Sequence, residues 1–332
     1  MKVFVSIPKN SDVFKTFLPE EVCSYAEKHC EVIYSESENN LTAEEFKSAA
    51  DSCDAVITGW GHIPITYDMI KNTKIKLIAH TGGTVGNLAG EGIYENGIKV
   101  ISGNILYAES VAEGTIAYML TGLRRIPYYI NEVRCGGWHG NGFFTEGLLD
   151  QTVGIIGLGT ISRILIGMLK TYRVKLKIYS SHKIDEEFLK ENNAVQASLE
   201  EIFSSCKIVS LHSAMTEKTR GMIGKEHFDL LKDGALFINT ARGEIIREDE
   251  MTEALKEKRF SAVLDVFCQE PLDEKSELRN LENVYCIPHM GGPTLDRRPY
   301  ITKRLIDNIL KFEAGENMEL EIKSDAAKRM TK

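Results

Sequence analysis

Apolar and polar positions alternate along this chain in two rhythms. Val3-Phe4-Val5-Ser6-Ile7 reads as a short strand, and Glu31 to Tyr34, Asp54 to Thr58, Lys76 to His80 and Lys99 to Ile101 repeat the pattern. Between them runs the stripe of helices packed on one face, at Glu20 to His29 and at Thr42 to Ala50, where Thr42 and Glu45 have capping-box spacing. A further helix is predicted after Pro64, and another around Leu88 to Glu95, ending at Asn96-Gly97. A long apolar helix over Glu109 to Leu123 leads into a second alternating set. Its strands are predicted at Thr152 to Ile156, Val174 to Tyr179, Ile208 to Leu211, Ala235 to Ile238, Ala262 to Phe267 and Val284 to Ile287. Glu248 to Lys258 and Ile301 to Phe312, beyond Pro299, read as helices. Pro127 to Leu149, with Gly136-Gly137-Trp138 and Gly140-Asn141-Gly142, reads as an irregular, partly exposed arm. The final dozen residues are polar and are expected to fray.

The second set is organised around one stretch, Thr152-Val153-Gly154-Ile155-Ile156-Gly157-Leu158-Gly159-Thr160-Ile161-Ser162. An apolar strand breaks at Gly157 and Gly159, and apolar residues then recur at Ile161, Ile164, Leu165, Met168 and Leu169 with helical spacing. A strand turning on glycines into a helix aims free N–H groups at the turn, which suits a pyrophosphate. Gly157 and Gly159 are therefore cofactor-binding candidates. Two departures from the full dinucleotide fingerprint matter. Ser162 stands in place of the third glycine, and Tyr179-Ser180-Ser181-His182-Lys183 follows the next strand, where an acidic residue would hold a ribose 2′-hydroxyl. Ser180, Ser181, His182 and Lys183 suit a 2′-phosphate better, so NAD(P) is the expected cofactor, with NADP favoured over NAD. The bland alternative is an ordinary glycine-containing turn followed by a polar loop.

The fold class expected is α/β: two Rossmann-like or flavodoxin-like domains with parallel sheets, one inserted into the other. The boundaries are 1–102 and 294–332 for a substrate domain and 103–293 for a dinucleotide-binding domain. Ligands in open α/β sheets sit beyond the carboxyl ends of the strands, so two such domains facing one another would create a cleft.

At 332 residues the chain suits two domains. Its 43% hydrophobic and 27% charged content is that of a soluble globular protein. A net charge of −8 with no long basic run argues against nucleic-acid or anionic-membrane partners. No stretch reaches the length of a membrane span, and Met1-Lys2 leads straight into a strand, so a cytoplasmic protein is expected. Seven scattered cysteines without a Cys-x-x-Cys read as reduced, mostly buried thiols, and no metal-ligand spacing is seen.

Several polar groups fall just past strand ends. They are Thr81-Gly82-Gly83-Thr84, Asn239-Thr240-Ala241-Arg242-Gly243, Asp265, Glu270-Pro271 and Pro288-His289. Singly each has a structural reading: a surface ion pair, a turn boundary, a hydrogen-bonded histidine. Together they supply what hydride transfer to a 2-keto acid requires. Arg242 offers a planar fork to the substrate carboxylate, and Gly82 and Gly83 offer backbone N–H groups. His289 can donate and accept a proton near neutrality, and Glu270 can fix its tautomer.

On these segments the chain resembles the D-isomer-specific 2-hydroxyacid dehydrogenase family over nearly its full length. Ile78 to Val85, Val111-Ala112-Glu113, Gly137-Trp138, Val153 to Ile161, Val209 to His212, Ile238 to Gly243, Leu264 to Phe267, Glu270-Pro271 and Pro288-His289 match in order and spacing. The resemblance implies an Arg242–Glu270–His289 site, with Arg242 orienting the substrate, Glu270 supporting the imidazole and His289 as acid/base. It implies that Thr160, Ile161, His212, Ser213, Thr240 and Asp265 line the cofactor, and that the protein is a homodimer through its nucleotide domain. The implied reaction passes a hydride between NAD(P)H and a small 2-keto acid or D-2-hydroxy acid of glyoxylate, hydroxypyruvate, phosphoglycerate or lactate type. The D-stereochemistry rests on the resemblance alone. Formate or phosphite oxidation on the same fold is an alternative, as is a nucleotide-sensing, corepressor-like protein.

Overall fold

The computed structural model describes residues 1–138 and 145–330, so Gly140-Asn141-Gly142 of the expected arm lies outside the described residues. The chain forms two compact units, Met1–Tyr107 with Pro293–Lys332, and Ala108–Gly292. Each is built on a parallel sheet, in keeping with the α/β class.

In the first unit β1 (Lys2–Val5), β2 (Glu31–Tyr34), β3 (Ala55–Thr58), β4 (Leu77–His80) and β5 (Lys99–Ser102) lie in the order β2-β1-β3-β4-β5. β3 and β4 are buried at every position, as parallel strands covered on both faces must be. Successive side chains go to opposite sides: Val3, Val5, Ala55 and Ile57 join one core cluster, Phe4, Val56, Ile78 and Val100 the other. The helix Ala43–Ala50 carries the expected capping box of Thr42 and Glu45. A six-residue helix, Asp12–Phe17, capped by the Ser11 hydroxyl, was not anticipated.

Three expectations in this unit are corrected. The stretch 88–95 is a series of turns, not a helix. Its backbone is committed elsewhere: Leu88 O accepts from Ile65 N, Gly90 N donates to Ile65 O, and Glu91 O accepts from Tyr67 N. The helix expected from Ile301 to Phe312 is Arg297–Glu313 and contains Pro299, which sits in the first turn, where a missing N–H leaves no bond unmade. The polar C-terminal segment does not fray over 321–330. Ile322 N donates to Val100 O, Glu321 bridges Ile101 in antiparallel sense, and Ala327 is buried in a short helix, Ser324–Ala327. This covers β5, whose outer edge would otherwise present unpaired backbone groups.

The second unit holds β6 (Thr152–Ile156), β7 (Lys175–Tyr179), β8 (Ala194–Gln196), β9 (Ile208–Leu211), β10 (Leu236–Asn239), β11 (Ser261–Leu264) and β12 (Val284–Cys286). Their order is β12-β11-β10-β9-β6-β7-β8, every neighbouring pair parallel. β8 was not anticipated. Strand order reverses between β6 and β9, which makes their carboxyl ends the switch point where such sheets bind ligands. Gly154, in the middle of β6, lets the helix Leu199–Ser205 approach: a Cβ there would overlap Ile202.

The expected irregular arm is corrected over its first part, where Ile126–Arg134 is a helix with Pro127 in its opening turn. Proline there is compatible with helix, and apolar Ile126, Ile130 and Val133 fall on one exposed stripe. The cysteines also differ from expectation. All seven are free thiols, but only Cys53 and Cys206 are buried, while Cys135 and Cys268 are exposed. Among the described residues no helix is long and apolar enough to cross a membrane.

Candidate active site

The helix Thr160–Leu169 starts directly behind the glycine turn and buries Leu165, Ile166 and Leu169, each such side chain contributing roughly 1.5–3 kcal/mol. Gly157 has φ of +99°, and a Cβ there would come within 2.7 Å of Ser213 N, so only glycine lets the turn lie against the segment after β9. Gly159 differs. It is the N-cap residue, in extended conformation, and a Cβ placed on it meets nothing within 4 Å. The space in front of the helix N-terminus is open. Ser162, the residue in place of a third glycine, is fully buried, and its hydroxyl takes the Gly159 N–H at 2.8 Å. Arg163 N is the first amide of the turn to reach back, to Gly159 O, which leaves the Thr160, Ile161 and Ser162 amides pointing out of the helix end. Orphan donors, a positive helix end and open space fit a dinucleotide's pyrophosphate.

The loop after β7 is held by a residue that sequence reasoning missed. Gln196 of β8 donates to His182 O at 2.9 Å and accepts from Ile184 N at 3.0 Å. Ser180 Oγ accepts the His182 amide, and Ser181 Oγ lies 3.0 Å from His182 Nδ1. Lys183 pairs with Glu186 at 3.2 Å, both side chains more than 80% exposed, an arrangement worth little in water. His212 is a different kind of histidine. Its Nε2 lies 2.8 Å from Ser210 Oγ, its Nδ1 is buried without a partner, and burial pushes its pKa down to about 4. It is a neutral ring. Ser213 Oγ donates to Ile156 O, tying β9's exit to the end of β6.

At the other strand ends the structure brings Glu270 and His289 together, 19 residues apart in sequence. Glu270 Oε2 lies 2.6 Å from His289 Nδ1, and Glu270 Oε1 accepts the Phe267 amide at 3.1 Å. His289 sits at φ of +50°, a left-handed conformation that histidine adopts more readily than most residues. Asp265 holds it there. His289 N donates to Asp265 O, and the buried carboxylate accepts from Met290 N at 2.7 Å, Gly291 N at 2.8 Å and Tyr118 OH at 3.1 Å. Asp265, expected to line the cofactor, also clamps the histidine loop. Tyr118 gave no signal in the sequence beyond its place in an apolar helix.

Arg242 follows β10 and is half-buried. Its own backbone carbonyl holds Asn239 Nδ2 at 3.0 Å, and its guanidinium donates to Ala241 O at 2.6 Å. No carboxylate pairs with it among the described residues. Gly243 explains why this loop and the Glu270 loop are neighbours: a Cβ on Gly243 would overlap the Phe267–Cys268 peptide. Thr240 lies 3.4 Å from Thr115 through their hydroxyls.

Gly82 and Gly83 belong to the first unit, after β4. A Cβ on Gly82 would overlap the His80 ring. That ring is buried, 2.8 Å from Thr58 Oγ1 through Nδ1, and desolvation pushes its pKa down to about 4. Gly83 packs against Tyr107, whose ring carbon would lie 3.3 Å from a Cβ there.

Residues 116–291 match the D-isomer specific 2-hydroxyacid dehydrogenase family in its NAD binding domain. A hydroxypyruvate reductase of Thermotoga maritima is 32% identical over 251 residues, 74% of this chain and 81% of that protein. D-3-phosphoglycerate dehydrogenase of Methanocaldococcus jannaschii is 31% identical over 96% of this chain, which spans 59% of that protein's length. Among solved structures, D-lactate dehydrogenase of Escherichia coli aligns with a TM-score of 0.72 at 25% identity, covering 97% of this chain and 100% of that one. The chain belongs to the D-isomer specific 2-hydroxyacid dehydrogenase family of nicotinamide-dependent oxidoreductases.

Proposed function

We propose that this protein interconverts a small 2-keto acid and its D-2-hydroxy acid with NAD(P), preferring NADP. The observation that carries the reading is the 2.6 Å pairing of His289 Nδ1 with a Glu270 carboxylate whose other oxygen is fixed by the Phe267 amide. A ring held through Nδ1 presents Nε2 as the group that gives a proton to the substrate oxygen in reduction and takes it back in oxidation. Glu270 keeps the ring in one tautomer and one orientation. Arg242, with only a carbonyl as partner, has fork donors left for the substrate carboxylate. The Gly82 and Gly83 amides of the first unit are further donors suited to a carboxylate. The nicotinamide dinucleotide, when bound, supplies or receives the hydride.

Gly157, Gly159, Thr160 and Ile161 would hold its pyrophosphate, and Ser213, Thr240 and Asp265 stand at neighbouring strand ends of the same sheet. The absence of an acidic residue from Ser180 to Lys183 supports NADP. Relatives named as hydroxypyruvate reductase and D-3-phosphoglycerate dehydrogenase support the substrate class. A cytoplasmic homodimer is part of the same reading.

The test is a panel of glyoxylate, hydroxypyruvate, pyruvate and 3-phosphohydroxypyruvate assayed at 340 nm with NADH and NADPH in parallel. Turnover of at least one acid, lost in His289→Gln, is expected. Tight cofactor binding with no turnover across the panel would replace this reading with a nucleotide sensor.

A further inference from the structure

The first unit contains a cationic group that the reading above does not use. Arg298, in the opening turn of the helix Arg297–Glu313, is half-buried. Its guanidinium carbon lies 5.3 Å from the Trp60 ring centre and 5.6 Å from that of Phe17. Nε donates to Pro293 O and one terminal nitrogen to Thr16 Oγ1, both at 3.2 Å. All of these partners are neutral. Arg173, Arg247, Arg259 and Arg304 of the same chain each meet a carboxylate instead. A half-buried guanidinium without a counter-charge is costly to keep, and Arg242 shares that condition.

Beside it is an unused donor. The Tyr107 hydroxyl is buried and its proton has no acceptor, the neighbouring Trp60 indole N–H being itself only a donor, although a buried phenol ordinarily finds one. Burial holds this phenol above its ordinary pKa, so it stays protonated, and the Arg298 charge bears on it. The Tyr107 and Trp60 rings meet edge-on at 6.4 Å, and Trp60 is 41% exposed. Tyr107 also packs against Gly83, so these groups adjoin the backbone amides named above as suited to a carboxylate.

We infer that Arg298, Tyr107 and Trp60 form a subsite for a second oxyanion, carried at the far end of the substrate. The inference rests on the 2-keto acid reading and narrows it. The substrate class is a short 2-keto acid with a distal anionic group, a four- or five-carbon 2-oxo dicarboxylate or a phosphorylated three-carbon acid. Arg298 supplies charge-assisted hydrogen bonds, Tyr107 a neutral donor, and the Trp60 face shields the pair from water.

The experiment compares kcat/KM of the full-length protein for charged acids and neutral analogues. The charged acids are 2-oxoglutarate, oxaloacetate and 3-phosphohydroxypyruvate. The neutral ones are 2-oxohexanoate, 2-oxobutanoate and hydroxypyruvate, with phenylpyruvate and glyoxylate included. At least one charged acid is expected to exceed its neutral counterpart tenfold or more, and the identity of that acid separates a carboxylate from a phosphate. In Arg298→Met the loss on that acid should exceed the loss on glyoxylate at least tenfold. Arg298→Lys should recover part of it, and Tyr107→Phe should lower the same ratio by a smaller factor. Circular dichroism of each variant checks folding. A wild-type preference for neutral or aromatic acids, or a charged-to-neutral ratio unchanged in both Arg298→Met and Tyr107→Phe, overturns the subsite and leaves the keto-acid reading standing. Failure to reduce any acid, glyoxylate included, overturns both.

Discussion

Glu270 and His289 are bound carboxylate to imidazole at 2.6 Å, and each is separately anchored by the backbone of the same loop system. Phe267 N fixes the free oxygen of Glu270, while Asp265 O and its carboxylate fix the backbone on both sides of the histidine. The pair is held in place before any substrate arrives, which is the condition for efficient proton transfer. Glu270→Gln keeps the shape but removes the charge, and is expected to lower kcat about 10²-fold with cofactor Kd unchanged. Stopped-flow turnover and fluorescence titration measure the two quantities. An unaltered kcat would remove Glu270 from the proton path.

Two glycines should respond to alanine in opposite ways. At Gly243 a Cβ overlaps the Phe267–Cys268 peptide, so Gly243→Ala should destabilise the protein by about 2 kcal/mol or more, read as a lower urea midpoint. At Gly159 the backbone is already extended and the space is open. Gly159→Ala should leave the urea midpoint within about 0.5 kcal/mol and weaken cofactor binding instead. Equal effects of both changes on stability would contradict the open turn.

The loop Ser180 to Lys183 should decide the choice of dinucleotide. Ser180→Asp is expected to raise the NADH-to-NADPH ratio of kcat/KM at least tenfold, since a carboxylate pairs with ribose hydroxyls and repels a 2′-phosphate. Lys183→Ala should lower NADPH efficiency selectively. Its exposed ion pair with Glu186 is weak enough for the lysine to be released to a phosphate. A Lys183→Ala protein with unchanged relative efficiencies would exclude that lysine from the cofactor site.

His80 and His212 are neutral in the folded protein, each pushed by burial to a pKa of about 4 from an ordinary value near 6.5. Between those values the unfolded chain binds more protons than the folded one, so stability rises with pH across that window and is lost on acidification. Each ring can contribute up to about 3 kcal/mol to the difference between neutral pH and pH 4. Urea midpoints from pH 7 to pH 4.5 should fall, and less steeply in His80→Asn. The same slope in that variant would show that His80 does not titrate on unfolding.

Much of the architecture was legible because apolar spacing is a local property. Glu20–His29, Glu31–Tyr34 and Ile208–Leu211 have the bounds that the pattern predicts, and the Thr42–Glu45 cap forms as read. The errors share a cause. The turns at 88–95, the C-terminal segment on β5 and the role of Pro127 depend on hydrogen bonds or exposure set by distant residues. In the candidate site, Gly157 was visible as part of the glycine turn and Ser162 as a departure from its fingerprint. Tyr118 and Gln196 were not, because a single tyrosine or glutamine carries no spacing signal and acts here only through a partner elsewhere in the chain.

By itself the sequence determined that the chain alternates strand and helix, that a glycine turn precedes a helix after β6, and that an arginine, a glutamate and a histidine follow separate strands. These follow from periodicity and from the conformational freedom of glycine, both encoded over a few residues. Only the tertiary structure decided that Glu270 meets His289, that Asp265 holds the histidine loop, and that Arg298 lies on Trp60 without a counter-charge. Such relationships arise when parallel strands bring their carboxyl ends to one edge of a sheet, or when a helix packs back on a distant loop. Packing over the whole unit sets those distances, and no short stretch of chain contains them.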